Sequence, residues 1–381
     1  MIIIKKMSNQ HEDKLLGFDA TFAIGNYRGM GRYVRQLISA YNGPSIGFSP
    51  KHNIFLDNPW PLISEGNLLE PLWEQFYLPK LLKKNKVDLL LCGFNTSPIV
   101  RSCPPTILVL HDLIFQKPLL SLKQFQSRRQ VAGAIYRRIV APMAVKKAAE
   151  IVTVSETSRL EICAAFNLPL ERVLVIPNTL PEFWFQDNLI SSPEQSAGSP
   201  YILAVSGSAP SKNLFRLIQA FSNAQQSSKV KELNLLVVGL GQQEHDQFKR
   251  VADEFGVGNK VVLCPRVSDQ ELKSLYSKAV LFVFPSTHEG FGIPLLEAMA
   301  VRVPVICSSI PVFHEIGLDY VGYFDPFSID DLAKSLISAL SRETNDVALN
   351  LALEHAKTYS FVTKQAQITE LFKKIILKHV P

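Results

Sequence analysis

Tyr201-Ile-Leu-Ala-Val-Ser-Gly-Ser-Ala-Pro-Ser-Lys-Asn-Leu-Phe-Arg-Leu-Ile-Gln-Ala-Phe221 opens on a short apolar run and breaks at Ser206-Gly207-Ser208. It resumes with Leu214, Leu217, Ile218 and Phe221 at i, i+3, i+4 and i+7. The first part reads as a buried strand and the last as a helix with one apolar face. The unit recurs downstream. Leu233–Val238, Val261–Leu263, Val280–Phe284 and Val303–Cys307 read as strands. Leu272, Leu275, Tyr276 and Ala279 form one helical stripe, and Ala333, Leu336, Ile337 and Leu340 another. Strands that are apolar along their whole length are covered on both faces. That implies a parallel sheet with helices on either side.

Working outward, the first half repeats the pattern with more interruptions. Leu15–Ala20, Val87–Cys92, Thr106–Leu110, Ile151–Val154 and Val173–Ile176 read as strands, and Val34, Leu37, Ile38 and Tyr41 mark a helix. A long basic helix is expected at about Leu122–Ala148, and a final amphipathic helix at about Ser360–Lys378. Gln186–Pro200, rich in Ser, Pro, Gly and Gln, reads as a linker. A chain of 381 residues suits two domains. The expected architecture is α/β, with two doubly wound Rossmann-like domains facing across a cleft. Residues 1–187 would form an acceptor domain and 188–359 a donor domain, with 360–381 packing back on the first. Ligands of such sheets sit beyond the carboxyl ends of the strands, here in the cleft.

Composition removes several classes. Apolar residues make up 47% and charged residues 19%, too much core material for a disordered chain. No apolar run reaches the ~18–20 residues of a membrane-crossing helix, and Met1–Ile4 is too short for a signal segment. The five cysteines are widely spaced and form no C-x-x-C pair, which fits a reducing cytoplasm. The net charge of +6 is uneven: residues 1–190 carry +7 and 191–381 carry −1. A nucleic-acid track is disfavoured, while an acidic partner for the first half is not.

Phe284-Pro-Ser-Thr-His-Glu-Gly-Phe-Gly-Ile-Pro-Leu-Leu-Glu-Ala-Met-Ala300 carries the most chemistry. Pro294 suits the first turn of a helix, and Gly290 and Gly292 permit a tight loop close to a ligand. Glu289 and Glu297 stand eight residues apart, with Glu297 expected in the first helical turn. Amides at the helix start suit a phosphate, and the carboxylates suit sugar hydroxyls. The plainer alternative is a turn followed by a helix-capping glutamate.

This stretch, followed by Val303-Pro304-Val305, resembles the donor-site signature of the retaining GT-B glycosyltransferases of family 4, the glycosyl transferases group 1. Arg28-Gly-Met-Gly-Arg-Tyr33, His111-Asp112-Leu113, Val152–Ser158, Val175–Thr179 and Ser211-Lys212-Asn213 resemble further motifs of that family, in order along the chain. The resemblance implies a hexose moved from a nucleotide-diphosphate sugar, UDP-glucose or GDP-mannose, to a glycan or lipid-linked hydroxyl in cell-surface polysaccharide synthesis. It implies that His111, Lys212 and Glu289 serve catalysis. Glu289 would meet the donor sugar, Glu297 the ribose, and Lys212 the diphosphate. Gly290, Phe291, Gly292 and Ile293 would line the donor through backbone amides. Gly29, Gly31, Ser208 and Arg266 would complete the donor site. No cofactor or metal is implied, and no Asp-x-Asp occurs.

Two departures stand out. Ser211 occupies the place of the arginine that usually adjoins the lysine, and Thr179 replaces a glycine. A non-catalytic nucleotide-sugar-binding protein and a sugar-nucleotide epimerase of the same fold are the alternatives. Turnover of donor alone separates the epimerase, and binding without turnover the other. Glu289 and Glu297 do not fit the paired carboxylates of a glycosidase, since Glu297 would face the ribose. The basic helix reads either as a solvated face or as a surface holding the enzyme loosely at the inner face of an anionic membrane.

Overall fold

The computed structural model describes residues 13–24, 29–51, 59–116, 128–186, 200–343 and 345–380. The chain divides into two compact units. Met1–Gln116, Gln130–Thr179 and Phe361–Pro381 make the first, and Lys117–Arg129 with Leu180–Ser360 the second.

The first unit is built on strands β1 (Leu16–Asp19), β2 (Ser45–Ser49), β3 (Leu62–Ser64), β4 (Leu89–Cys92), β5 (Thr106–Val109), β6 (Glu150–Thr153) and β7 (Val173–Val175). Their order is β3-β2-β1-β4-β5-β6-β7, with every neighbouring pair parallel. All four residues of β4 are buried, as an interior strand covered on both faces requires. The helix Phe361–His379 buries Ile368, Phe372, Ile375 and Ile376. Phe372 lies 5.2 Å from the Tyr41 ring, and the Thr369 hydroxyl donates to the Ala40 carbonyl at 2.8 Å.

The second unit holds β8 (Tyr201–Val205), β9 (Asn234–Val238), β10 (Val261–Cys264), β11 (Leu281–Phe284), β12 (Val305–Ser308) and β13 (Gly322–Phe324). Their order is β10-β9-β8-β11-β12-β13, again all parallel. The stripe Leu214, Leu217, Ile218 and Phe221 is buried on the helix Leu214–Ala224. The helix Asp269–Lys278 starts on a reciprocal cap between Ser268 and Glu271. Trp184, Tyr276, Phe282, Phe284 and Phe313 pack as a ladder of rings, each 4.6–5.9 Å from the next.

Both sheets are parallel and doubly wound, as the apolar runs indicate. In each, the strand order reverses once: between β1 and β4 in the first unit, and between β8 and β11 in the second. A crevice opens at such a reversal, because the flanking connections leave to opposite faces.

Three short strands escape sequence reading. In β2, Ser-Ile-Gly-Phe-Ser offers two apolar side chains, and β3 and β13 have three residues each. Of the expected basic helix, Arg128–Lys147 is helical among the described residues. Residues 122–127, Lys123 among them, and most of the expected linker lie outside the described residues. Nor is its basic side a uniformly solvated face. Burial lowers the Arg137 pKa against the opposing pull of Asp112, and Arg138 donates to the Gln116 carbonyl at 2.6 Å.

Candidate active site

In the second unit, residues 206–213 leave the carboxyl end of β8 and residues 285–292 that of β11, the two strands at the reversal. The loops are joined directly. The Thr287 amide donates to the Ser211 carbonyl at 2.7 Å, and Lys212 Nζ meets Glu289 Oε1 at 2.6 Å. Lys212 also lies 5.9 Å from the Phe284 ring of the aromatic ladder. Its side chain is 30% exposed and that of Glu289 17%. The pair is therefore reachable by a ligand yet partly shielded from water.

A left-handed residue holds the turn beneath Lys212. Asn213 has φ +58°, and its buried amide donates to the Pro326 carbonyl at 2.8 Å. Arg216, one turn on, donates to Asn213 Oδ1 at 2.9 Å and lies 5.8 Å from the Phe327 ring. The sequence lacks an arginine beside Lys212, and the nearest one is committed to bracing the turn.

The helix Ile293–Ala300 begins at Gly292, with φ +114° and no side-chain cap. Pro294 has no N–H and the Leu295 amide donates to the Gly292 carbonyl at 3.0 Å, so the Ile293 amide is the first-turn donor left to face an anion. Glu297 is not in that first turn. The helix starts at Ile293, so Glu297 opens the second turn and is buried, accepting from the Tyr276 hydroxyl at 3.2 Å. Phe291 is buried against Tyr359, with ring centroids 5.8 Å apart, and Gly290 is buried beside it. Ser208 donates to Glu244 at 3.0 Å, and Arg266 is exposed after β10, the edge strand.

Sequence reading passes over three side chains here. Ser286, just after β11, and Ser308, at the end of β12, are fully buried, and the Ser286 and Ser308 hydroxyls and His288 Nε2 lack a hydrogen-bond partner. Such orphaned groups are uncommon and suit a ligand-facing edge. Only the pairing of Phe284 with Cys307 brings the two serines to neighbouring strand ends.

In the first unit, His111 follows β5 and is buried. Its backbone amide donates to Asn95 Oδ1 at 2.8 Å, and its Nε2 lies 3.0 Å from the Gly93 carbonyl. A carbonyl only accepts, so Nε2 carries the proton and Nδ1 the lone pair. Burial pushes the His111 pKa below its ordinary value, favouring the neutral ring. Tyr33 packs edge-on at 5.1 Å, and Ser158 donates to the His111 carbonyl at 3.3 Å. Gly29 and Gly31 open the helix Gly29–Ser39, and residues 25–28 lie outside the described residues. From that helix Tyr33 donates to the Ile176 carbonyl at 2.9 Å, while Gln36 donates to Pro177 and accepts from the Thr179 amide. The first glycine-rich motif and the Pro177-Asn178-Thr179 motif are thus one structural unit.

Asp19, at the end of β1, and Glu74 are buried carboxyls. Burial raises Asp19 to about 6 and Glu74 to about 7. Tyr136 and Thr96 both donate to Glu74. Between about pH 4.5 and 7 the native Glu74 holds a proton that the unfolded chain has lost, so stability falls as pH rises through that window. Glu74→Gln is expected to gain melting temperature relative to the parent from pH 5 to pH 8, by the equivalent of about 3 kcal/mol. A difference independent of pH overturns the assignment.

Among the described residues no group of three or more His, Cys, Asp or Glu side chains is arranged to hold a metal ion.

The family described as Glycosyl transferases group 1 matches residues 185–356, and that described as Glycosyltransferase Family 4 matches residues 27–181. The O-antigen chain mannosyltransferase RfbU of Salmonella typhimurium is 33% identical over 299 residues, covering 75% of this chain and 77% of that protein. The O-antigen chain mannosyltransferase B of Escherichia coli is 28% identical, covering 58% of this chain and 60% of its own. Among solved structures, the sucrose-phosphate synthase of Thermosynechococcus elongatus superposes with a TM-score of 0.77 over 96% of this chain and 100% of its own, at 18% identity.

Proposed function

The chain belongs to the group 1 glycosyl transferases of family 4, retaining enzymes of the GT-B fold, and from that membership we propose that it transfers mannose from GDP-mannose to a lipid-linked polysaccharide acceptor. The Lys212–Glu289 pair carries the reading, because it puts a cation and a sugar-binding carboxylate on the two loops of one crevice. The mannosyltransferases among its relatives favour mannose over glucose.

The hard step is departure of the diphosphate as positive charge builds on the anomeric carbon. Lys212 leaves Glu289 for the diphosphate and, with the Ile293 amide at the start of the Ile293–Ala300 helix, stabilises the leaving group. Glu289 then accepts hydroxyls of the sugar, and Glu297 those of the ribose. Ser286 and Ser308 supply further hydroxyl donors. In the first unit His111, neutral, offers Nδ1 as an acceptor to substrate. The leaving phosphate takes the acceptor's proton, so no second carboxylate is needed. No metal takes part. The enzyme works at the cytoplasmic face of the membrane, held there in part by the basic Arg128–Lys147 helix.

A panel of nucleotide sugars tests this. GDP-mannose is expected to raise the melting temperature, since a ligand at a hundred times its Kd stabilises by about 2.7 kcal/mol. It should also release GDP in the presence of lipid-linked acceptor. A shift with UDP-glucose alone changes the donor, and binding without release of nucleotide ends the transferase reading.

A further inference from the structure

The first unit has a crevice of its own, at the reversal between β1 and β4. Phe18 pairs with Leu91, so the chain leaves these strands side by side, through Asp19–Phe22 and Gly93–Asn95. The Phe22 and Phe94 rings meet edge-on at 5.1 Å, which joins the two exits directly. His111, leaving β5, is tied to the second exit through Asn95 and Gly93.

Two polar atoms at this edge are open. Asp19 is 8% exposed, and the Thr21 amide and hydroxyl donate to its Oδ1 at 2.9 and 2.6 Å. Its Oδ2 accepts no hydrogen bond from the described residues. Asn95 is 5% exposed with φ +66°, and its Oδ1 accepts from the His111 amide. A backbone amide only donates, so the accepting atom is Oδ1, and Nδ2 keeps two donors that no described residue takes. Buried polar atoms are ordinarily paired, so an acceptor and a donor left open on adjoining strand exits mark a place for a ligand. Beside them the Phe22 ring is 44% exposed.

The charges that face Asp19 are acidic. Glu70 raises its pKa, and Asp19 in turn raises that of Glu74. No cation among the described residues lowers it. An anion brought to Oδ2 would therefore meet repulsion without compensation. A sugar ring meets none. Its hydroxyls donate to a carboxylate and accept from an amide, and its C–H face is apolar and suits an aromatic ring.

We infer that this crevice binds the terminal sugar of the acceptor as a neutral pyranose, with Asp19 Oδ2 and Asn95 Nδ2 on its hydroxyls and Phe22 against its C–H face, and that Asp19 excludes acceptors ending in a phosphorylated or acidic sugar. The inference rests on the transferase reading and specifies which part of the acceptor the first unit reads. Asp19 thereby sets specificity and takes no part in breaking the donor bond.

Ligand-observed NMR titrations of the full chain test it, with the methyl glycosides of mannose, glucose, galactose and N-acetylglucosamine and with the 6-phosphates of the same sugars. The parent should bind at least one neutral glycoside, and bind it about tenfold more tightly than the matching phosphate. Asp19→Asn should lower that affinity about tenfold and remove most of the preference over the phosphate. Phe22→Ala, at an exposed position, should weaken glycoside binding several-fold at the parent's melting temperature, which keeps the test decisive if the Asp19 variant fails to fold. Glu289→Ala, which lacks the sugar-binding carboxylate of the second unit, should bind the glycoside as the parent does. Three outcomes overturn the inference: no glycoside bound by the parent, equal affinity for glycoside and phosphate, or binding lost in Glu289→Ala and kept in Asp19→Asn and Phe22→Ala. Nucleotide release with lipid-linked acceptor is scored separately. Its absence with glycoside binding intact defeats the transferase reading alone, and release with an acceptor KM unchanged in both first-unit variants defeats this inference alone.

Discussion

Lys212→Ala is expected to slow sugar transfer about a hundred- to a thousandfold and to leave the protein folded. Two facts separate these effects. The ammonium meets Glu289 at 2.6 Å, but both side chains are partly exposed, and such a pair adds about 1 kcal/mol or less to stability. The catalytic effect is larger, because a cation placed where the diphosphate leaves acts on charge that grows only in the transition state. Glu289→Ala should also lose most transfer, through lost sugar contacts and a Lys212 no longer held in place. Glu289→Gln keeps a hydrogen-bonding group without the charge and should fall between. Steady-state kinetics on the three variants, with melting curves alongside, check this. Parent-like turnover in either alanine variant removes Lys212 and Glu289 from the site.

The second large effect is expected at Gly292. Its φ of +114° is one that residues with a side chain rarely adopt, and an added Cβ would lie 3.0 Å from Phe313 Cε1. Phe313 cannot withdraw, since it is fully buried and stacked 4.6 Å from Phe284. Gly292→Ala should therefore cost roughly 1–3 kcal/mol of backbone strain, besides the contact, and lower the melting temperature by several degrees. Because Gly292 sets the first turn of the Ile293–Ala300 helix, donor affinity should fall at least tenfold as well. Gly207→Ala is the stability control: a Cβ there meets nothing within 4 Å. Equal melting temperatures for Gly292→Ala and the parent overturn the argument.

Much of the fold is legible because its signals are local. The Leu214–Phe221 stripe needs only the helical period, and β4 and β11 declare themselves by unbroken apolar runs. The donor loop is legible for the same reason: Gly290, Gly292, Pro294 and both glutamates stand within nine residues of one another. Short strands fail this test. Val321 and Gly322 carry no period, and β13 becomes a strand only through its pairing with β12. The start of the Ile293–Ala300 helix also fails. Glycine at Gly292 and proline at Pro294 bracket the first turn without saying that the count begins at Ile293, which moves Glu297 out of it.

The amino-acid sequence by itself determined two parallel α/β units, the order of the family motifs and the loop that carries Glu289. Each is written in neighbouring residues, whose side-chain volume and backbone preference act over a few positions. Tertiary structure alone decided that Lys212 pairs with Glu289 across 77 positions, that Gly93 fixes the proton on His111, and that Asp19 and Glu74 are buried. It also decided which side of the Arg128–Lys147 helix meets water. That helix is apolar on both sides, so its period cannot distinguish them. Only packing of Ala141, Ala144 and Val145 against the sheet leaves Ile135, Ile139 and Met143 outside.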